Sequence, residues 1–180
     1  MPADANQLQI AFRPLAAADF PLLWRWLAEP HVRAFYQRTP VSLEDVAAKH
    51  GPRVRGEAPA VCHIALHRGA PFAYLQGYRN ADWPDWAEEI GHADGISVDL
   101  YIGEPAYVGR GFGRAMLAAY LRDIAFRLFD DDMAYIAHDV TNTAALTCSM
   151  AVGFREIGAF VEDGVSMRLL SLRRGEILTP

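Results

Sequence analysis

The residues in this chain most suited to chemistry lie in the stretch GEPAYVGRGFGRAMLAAYL, Gly103 to Leu121, which holds four glycines in eleven residues before turning helical in pattern. Glycine has no Cβ, so a run of glycines lets backbone N–H groups turn toward one point and lets another molecule approach the main chain. The helix that follows adds its own unpaired N–H groups and the positive end of its dipole. That combination suits a phosphate or pyrophosphate. Spelling excludes two common binding modes. A dinucleotide fingerprint reads G-x-G-x-x-G, whereas Gly109, Gly111 and Gly113 are spaced G-x-G-x-G. A P-loop ends in Gly-Lys-Ser/Thr, and the single lysine of the chain, Lys49, is far away in sequence. A glycine-rich turn that holds no ligand is the plain alternative.

Other reactive residue types carry less. His63 and His67 are four apart on a strand pattern with no acidic partner beside them, so they read as structural histidines, and no metal site is expected. Cys62 and Cys148 form no C-x-x-C pair and read as small buried hydrophobes. The formal charge is −5 and the sixteen arginines are scattered, which argues against a nucleic-acid surface. The start, MPADANQLQ, lacks a basic n-region and an apolar h-region, and no apolar run approaches a membrane span, so a cytoplasmic protein with no membrane partner is expected.

The elements that must position the glycine turn follow from periodicity. With 180 residues, 52% of them hydrophobic, the chain can bury a sizeable core, and it reads as a flexible tail over 1–8 followed by one domain over 9–175. LQIAFRPL predicts a first strand and AADFPLLWRWLAE a helix with Pro21 in its first turn. Ser42 and Asp45 stand in capping-box spacing at the head of SLEDVAAKHG, a second helix. AVCHIALHRGAPFAYLQGYR predicts two strands joined by a turn at Arg68 to Pro71. GISVDLYIG alternates, with Ile96, Val98 and Leu100 on one face and Ser97, Asp99 and Tyr101 on the other. The helix after the glycines is expected to place Leu117, Tyr120, Leu121, Ile124 and Leu128 on its apolar face. MAYIAHDV predicts a strand, TNTAALTCSMAVGF a helix ending at Gly153, and REIGAFVEDGVSMRLLSL a strand pair turned at Asp163 and Gly164. Two strands each followed by a helix imply parallel neighbours inside a mixed sheet, hence an α/β or α+β layer fold.

This order of parts resembles the GNAT acyltransferase superfamily. Its diphosphate loop, Gln/Arg-x-x-Gly-x-Gly/Ala, is similar to Val108, Gly111 and Gly113, with Val108 replacing the usual polar residue. Its second signature, Asn-x-x-Ala leading to Gly-Phe, is similar to Asn142, Ala145, Gly153 and Phe154. Within the superfamily the chain most resembles aminoglycoside 6′-N-acetyltransferases, through FRPLAAADFPLLWRWL, YLQGY, DWPDWAEE and GISVDLYIGE. The resemblance implies a mixed, mostly antiparallel α/β sheet with two splayed parallel strands and flanking helices. It implies acetyl-CoA as co-substrate, bound by the main chain of Leu100, Tyr101 and Ile102, by Val108, Gly109, Arg110, Gly111, Phe112, Gly113 and Arg114, and by Asn142 and Ala145.

The same resemblance implies a small polycationic amine as acceptor, and a monomer or homodimer. Asp99 takes the place of the aspartate that contacts the amine, and Asp139 that of a second substrate-facing aspartate. Gln76 and Tyr78 of YLQGY, with Asp82, Trp83, Asp85, Trp86, Glu88 and Glu89, are expected to bind the acceptor, because acids attract ammonium groups and aromatic rings wall a sugar. An exposed acidic segment without that role is the plain alternative. A carboxyl of reference pKa ~3.9 is a poor base for an ammonium near ~10.4, so Asp99 is expected to orient the amine while water takes the proton. Ser149 stands where the family often places a tyrosine that protonates the departing thiolate. Other readings are a GNAT enzyme for a polyamine or siderophore precursor, and an acyl-CoA-binding module without catalysis.

Overall fold

The structure, a computed structural model, describes residues 8–178. Residues 1–7 of the expected tail lie outside the described residues, and Leu8 packs against the core. Seven strands form one sheet in the order β1-β2-β3-β4-β5-β7-β6. They are β1 Ile10–Pro14, β2 Val61–His67, β3 Ala70–Arg79, β4 Ile96–Ile102, β5 Met133–Asp139, β6 Arg155–Glu162 and β7 Val165–Arg173. Every neighbouring pair is antiparallel except β4 and β5. The β2-β3 turn places Arg68 and Gly69 at φ 51° and 82°, and the β6-β7 turn places Asp163 and Gly164 at 48° and 80°. Two consecutive residues at positive φ give a twist that matches a tight hairpin, which is why glycine is second in each.

Helices cover both faces: α1 Phe20–Leu27, α2 Pro30–Arg33, α3 Leu43–Val54, α4 Pro84–Ile90, α5 Phe112–Tyr120, α6 Phe126–Phe129 and α7 Thr143–Val152. On one face, Ile96, Val98, Leu75 and Ile136 pack under Met116, Leu117 and Leu121 of the α5 region and Leu146 and Val152 of α7. On the other, Ile64, Tyr74 and Tyr101 pack under Leu23, Trp26 and Leu27 of α1 and Val46 of α3. Thus the alternation of β4 sends Ile96 and Val98 to one core and Tyr101 to the other, as its period of two requires. The capping box of α3 forms: Ser42 Oγ accepts from the Asp45 N–H at 3.1 Å, and Asp45 Oδ2 accepts from the Ser42 N–H at 2.8 Å.

Three details depart from the sequence reading. Helix α3 runs through Pro52 to Val54 rather than ending at Gly51, which brings Arg53 onto the helix. Residues 84–90, read only as an acidic segment, form α4, with Pro84 in its first turn and Gly91 closing it at φ 73°. Leu128 is 56% exposed instead of buried, because the helix widens into a π turn at Leu121–Ala125. The extra residue in that turn rotates the register, and Ala125 and Phe126 take the inward positions.

Candidate active site

The parallel strands β4 and β5 pair only at Ile96 with Ala134 and at Ser97 with Tyr135. Beyond Ser97 they part, so among the described residues no strand pairs with β4 from Val98 onward on that side. His31 Nε2 lies 2.8 Å from the Ile102 carbonyl and takes up that group, leaving Val98 to Tyr101 as the open run. At the end of β4, the Trp26 ring crosses Gly103 so closely that a Cβ there would lie 2.0 Å from Trp26 Cδ2. Trp26 Nε1 also donates to Glu104 Oε1 at 2.8 Å, so α1 clamps the exit of β4.

The glycine turn follows at once. Gly109 and Gly111 adopt φ 72° and 84°, a region that side chains with a Cβ avoid, and open space lies above both. Among the described residues no backbone carbonyl accepts from the N–H of Gly109, Arg110 or Gly111. Gly111 caps α5, and the Nε of Arg114 in the first turn is buried without a partner. Unpaired donors, a helix N-terminus and a half-buried guanidinium in one place are what an anionic diphosphate requires. Val108 is 44% exposed, and Phe112 turns into the core instead, edge-on to Phe72. Asn142 and Ala145 bind each other: Asn142 Oδ1 accepts from the Ala145 N–H at 3.2 Å and caps α7. Gly153 closes the same helix at φ 114°, where a Cβ would lie 2.6 Å from the Glu176 carbonyl.

Across β3 and β4, Gln76 stands opposite Asp99 and Tyr78 opposite Ser97. Gln76 Nε2 donates to Asp99 Oδ2 at 2.6 Å, and its Oε1 accepts from Tyr74 Oη at 2.8 Å and Arg53 Nη1 at 2.7 Å. Burial lifts the Asp99 carboxyl above the usual carboxylate range, while hydrogen bonds from Gln76 and Tyr78 and the charges of Lys49 and Arg53 pull it back. A cavity of about 130 Å³ lies beside it, lined by Arg53, Gln76, Tyr78, Trp83 and Trp86. Its tryptophans are pinned: Trp86 Nε1 donates to Ser97 Oγ at 2.8 Å and Trp83 Nε1 to the Pro59 carbonyl at 3.3 Å. A larger depression of about 360 Å³ at the far end of α7, lined by Met150, Arg155 and Glu176 among others, includes none of the expected site residues.

The expected acceptor residues therefore divide. Gln76, Tyr78, Trp83 and Trp86 line one cavity next to Asp99. Asp82, Asp85, Glu88 and Glu89 are exposed and none lines it. Asp139 is occupied: its carboxylate accepts from the Thr141 N–H and hydroxyl, both at 2.7 Å, and pairs with Arg38. Those hydrogen bonds, then Arg38, hold its carboxyl below the usual range. Ser149 is buried, with His138 Nε2 2.8 Å from its hydroxyl, and burial lowers that imidazole to about 4, so the histidine is neutral.

Several residues at the site escaped the sequence reading. Arg53 did so because the Gly51-Pro52 pair signals a helix end. Arg38 joins the site only through folding, since it reaches Asp139 across a hundred positions of chain. Tyr36 lies with its ring 4.5 Å from that of Tyr101, tilted by 58°, and feels the Asp99 charge. Glu162, on β6, has its carboxyl raised by burial and by Glu89 and Asp99. A strand face of alternating residues in β6 was the one signal available for it.

Residues 16–161 match the acetyltransferase (GNAT) domain family. The chain belongs to the GNAT acetyltransferases. No curated protein matches this GNAT chain in sequence. Among solved structures it is similar to aminoglycoside acetyltransferase AAC(6')-Ib in complex with paromomycin and acetyl-CoA, at 21% identity and TM-score 0.83, over 93% of this chain and 94% of that one. It is similar to an aminoglycoside N(6') acetyltransferase from Legionella pneumophila, at 20% identity and TM-score 0.71, over 93% and 94%. A spermidine N-acetyltransferase from Vibrio cholerae in complex with CoA and spermine matches at 15% identity and TM-score 0.75, over 93% and 97%. At these identities the likeness concerns the fold. Among the described residues no group of three or more His, Cys, Asp or Glu could hold a metal, and no helix is long and apolar enough to cross a membrane.

Proposed function

We propose that this GNAT chain transfers the acetyl group of acetyl-CoA to the primary amine of a small acceptor that enters the Tyr78, Trp83 and Trp86 pocket. The observation that carries this reading is the half-buried carboxylate of Asp99, set where β4 leaves β5 and hydrogen-bonded to Gln76 of that pocket's wall. The residues at the glycine turn fit the co-substrate: the free N–H groups at 109–111 and Arg114 would hold its diphosphate. Acetyl-CoA supplies an activated acyl group on a tolerable leaving group, a thiolate of parent pKa ~8.5. Asp99 accepts hydrogen bonds from the incoming ammonium and fixes its direction, Gln76 and Tyr78 hold the carboxylate, and solvent carries the proton away. Ser149, backed by the neutral His138, is a hydrogen-bond donor or acceptor rather than a strong acid.

Aminoglycoside-type amino sugars are the first acceptor class for this reading. Trp83 and Trp86 offer faces for a sugar ring, and the exposed Asp82, Asp85, Glu88 and Glu89 would draw a polycation toward the pocket. The structural neighbours named for aminoglycosides support the same class. A slimmer amine is favoured by a specific observation, the cavity of about 130 Å³, below the ~300 Å³ at which drug-sized ligand pockets begin. The test is release of free thiol from acetyl-CoA against a panel of kanamycin, spermidine and simple primary amines. Thiol release with at least one amine is expected; binding of acetyl-CoA with no transfer to any of them would reduce the chain to an acyl-CoA-binding module.

A further inference from the structure

We propose that Arg53 is an anion-binding residue of the acceptor pocket, so that the acceptor carries a carboxylate beside the amine it presents to Asp99. This rests on the small-amine reading of that pocket. Among the described residues nine arginines pair with a carboxylate: Arg13, Arg25, Arg38, Arg55, Arg79, Arg122, Arg127, Arg168 and Arg174. Of those that do not among the described residues, Arg33, Arg68, Arg110, Arg155 and Arg173 are exposed, where water solvates the charge. Among the described residues only Arg53 and Arg114 are half-buried with no carboxylate in ion-pair contact. Arg53 feels the Asp99 charge through Gln76, but with no carboxylate in direct contact its donors remain available to an anion that enters. Arg114 stands at the phosphate turn; Arg53 stands in the acceptor pocket.

Arg53 is built for that task. Of its five N–H donors one is used on Gln76 Oε1 at 2.7 Å and one interacts with the Cys62 thiol, and those that remain can meet a carboxylate. Gln76 also donates to Asp99 at 2.6 Å, so the amine site and the anion site are separated by a single carboxamide. That spacing fits one short molecule with an ammonium at one end and a carboxylate at the other, its carbon stem against Tyr78, Trp83 and Trp86. Lys49, one turn before Arg53, adds a second cation near Asp99. A second ammonium on the acceptor would face these cations, which disfavours polycations in the same measure as it favours zwitterions.

The test uses 4-aminobutanoate, 4-aminobutanamide and n-butylamine, which share a stem and differ in the carboxylate, with kanamycin as the polycation. Wild type is expected to show kcat/KM for 4-aminobutanoate about tenfold or more above the amide and the alkylamine, an effect of about 1.4 kcal/mol. Arg53→Gln should erase that preference by raising KM for 4-aminobutanoate alone, and Arg53→Lys should restore part of it, with melting temperatures reporting that each variant folds. Equal kcat/KM for the three matched amines, an equal loss on all three in Arg53→Gln, or efficient transfer to kanamycin with none to 4-aminobutanoate would overturn the anion site while leaving acetyl transfer standing. Should no amine release thiol, the transferase reading falls separately. The anion site is then decided by calorimetry: 4-aminobutanoate binding lost in Arg53→Gln supports it, and absence of binding to wild type overturns it.

Discussion

Lowering the pH should unfold this protein earlier than its carboxylates alone would, because the fold holds two histidines neutral. His50, 3% exposed on α3 with its Nδ1 3.4 Å from Tyr74 Oη, is lowered by burial and by Arg53 and Lys49 to about 3. His138 on β5, beside Ser149, is lowered by burial to about 4. In the unfolded chain both return to about 6.5. A folded-state pKa below the unfolded one means that the unfolded state binds more protons, so the stability is present above 6.5 and is lost as pH falls. Each histidine loses about 1.4 kcal/mol per pH unit in that window, hence roughly 2.7 kcal/mol by pH ~4.5 and roughly 5 kcal/mol for the two. A domain of this size has about 5–15 kcal/mol in total. Asp19 and Asp139, held low by their partners, titrate below 3.8 and act outside the window, whereas the raised Asp99 and Glu162 work in the opposite direction. The measurement is urea unfolding of wild type and of the His50→Gln, His138→Gln double variant between about pH 4.5 and 7.5. The double variant should lose markedly less stability over that range. Equal losses in the two proteins would refute the assignment of acid lability to these histidines.

Gly103→Ala should lower the melting temperature strongly, since the new Cβ would stand 2.0 Å from Trp26; overpacking of this kind costs about 1–3 kcal/mol or more, and an unchanged melting curve would sink the clamp between α1 and β4. Asp99→Asn should reduce acetyl transfer by about 10²-fold, as loss of an orienting group does, while raising stability at neutral pH. The sign follows from the raised carboxyl: its stability contribution is full below the unfolded pKa of 3.8 and is lost as pH rises through the folded value, so removing the charge recovers it. A lower melting temperature at neutral pH together with full activity would contradict both halves. Gly111→Val puts a β-branched residue at φ 84°, a strain of at least about 1–2 kcal/mol, and fills the space above the turn; calorimetry should show no acetyl-CoA binding by the folded variant, and unchanged affinity would remove the turn from the binding site.

Local physics made much of the fold legible. Alternation in GISVDLYIG assigned the two faces of β4, and Ser42 with Asp45 marked the start of α3, because both signals act within a few residues. Asp163-Gly164 marked the last hairpin for the same reason. Where a neighbour in space decides, the pattern misled. The π turn at Leu121–Ala125 exposes Leu128 without any breaker in the sequence, and Pro52 sits inside α3 although it looks like an end signal.

The candidate site shows the same division at the level of charge. Counting acids in NADWPDWAEE suggests a cation-binding wall, and all four, Asp82 before α4 and Asp85, Glu88 and Glu89 on it, do reach solvent. Inside the cavity the balance reverses: no acid among the described residues lines it, Asp139 and Asp94 are engaged elsewhere by Arg38 and Tyr135, and Arg53 lines the space with Lys49 near Asp99. Composition integrates charge along the chain, but the field an acceptor feels is set by which charges lack partners after folding. By that measure the pocket offers a guanidinium with no carboxylate in contact to an anion, one carboxamide away from the carboxylate that would meet an amine, a pair that selects for a zwitterion rather than for total positive charge.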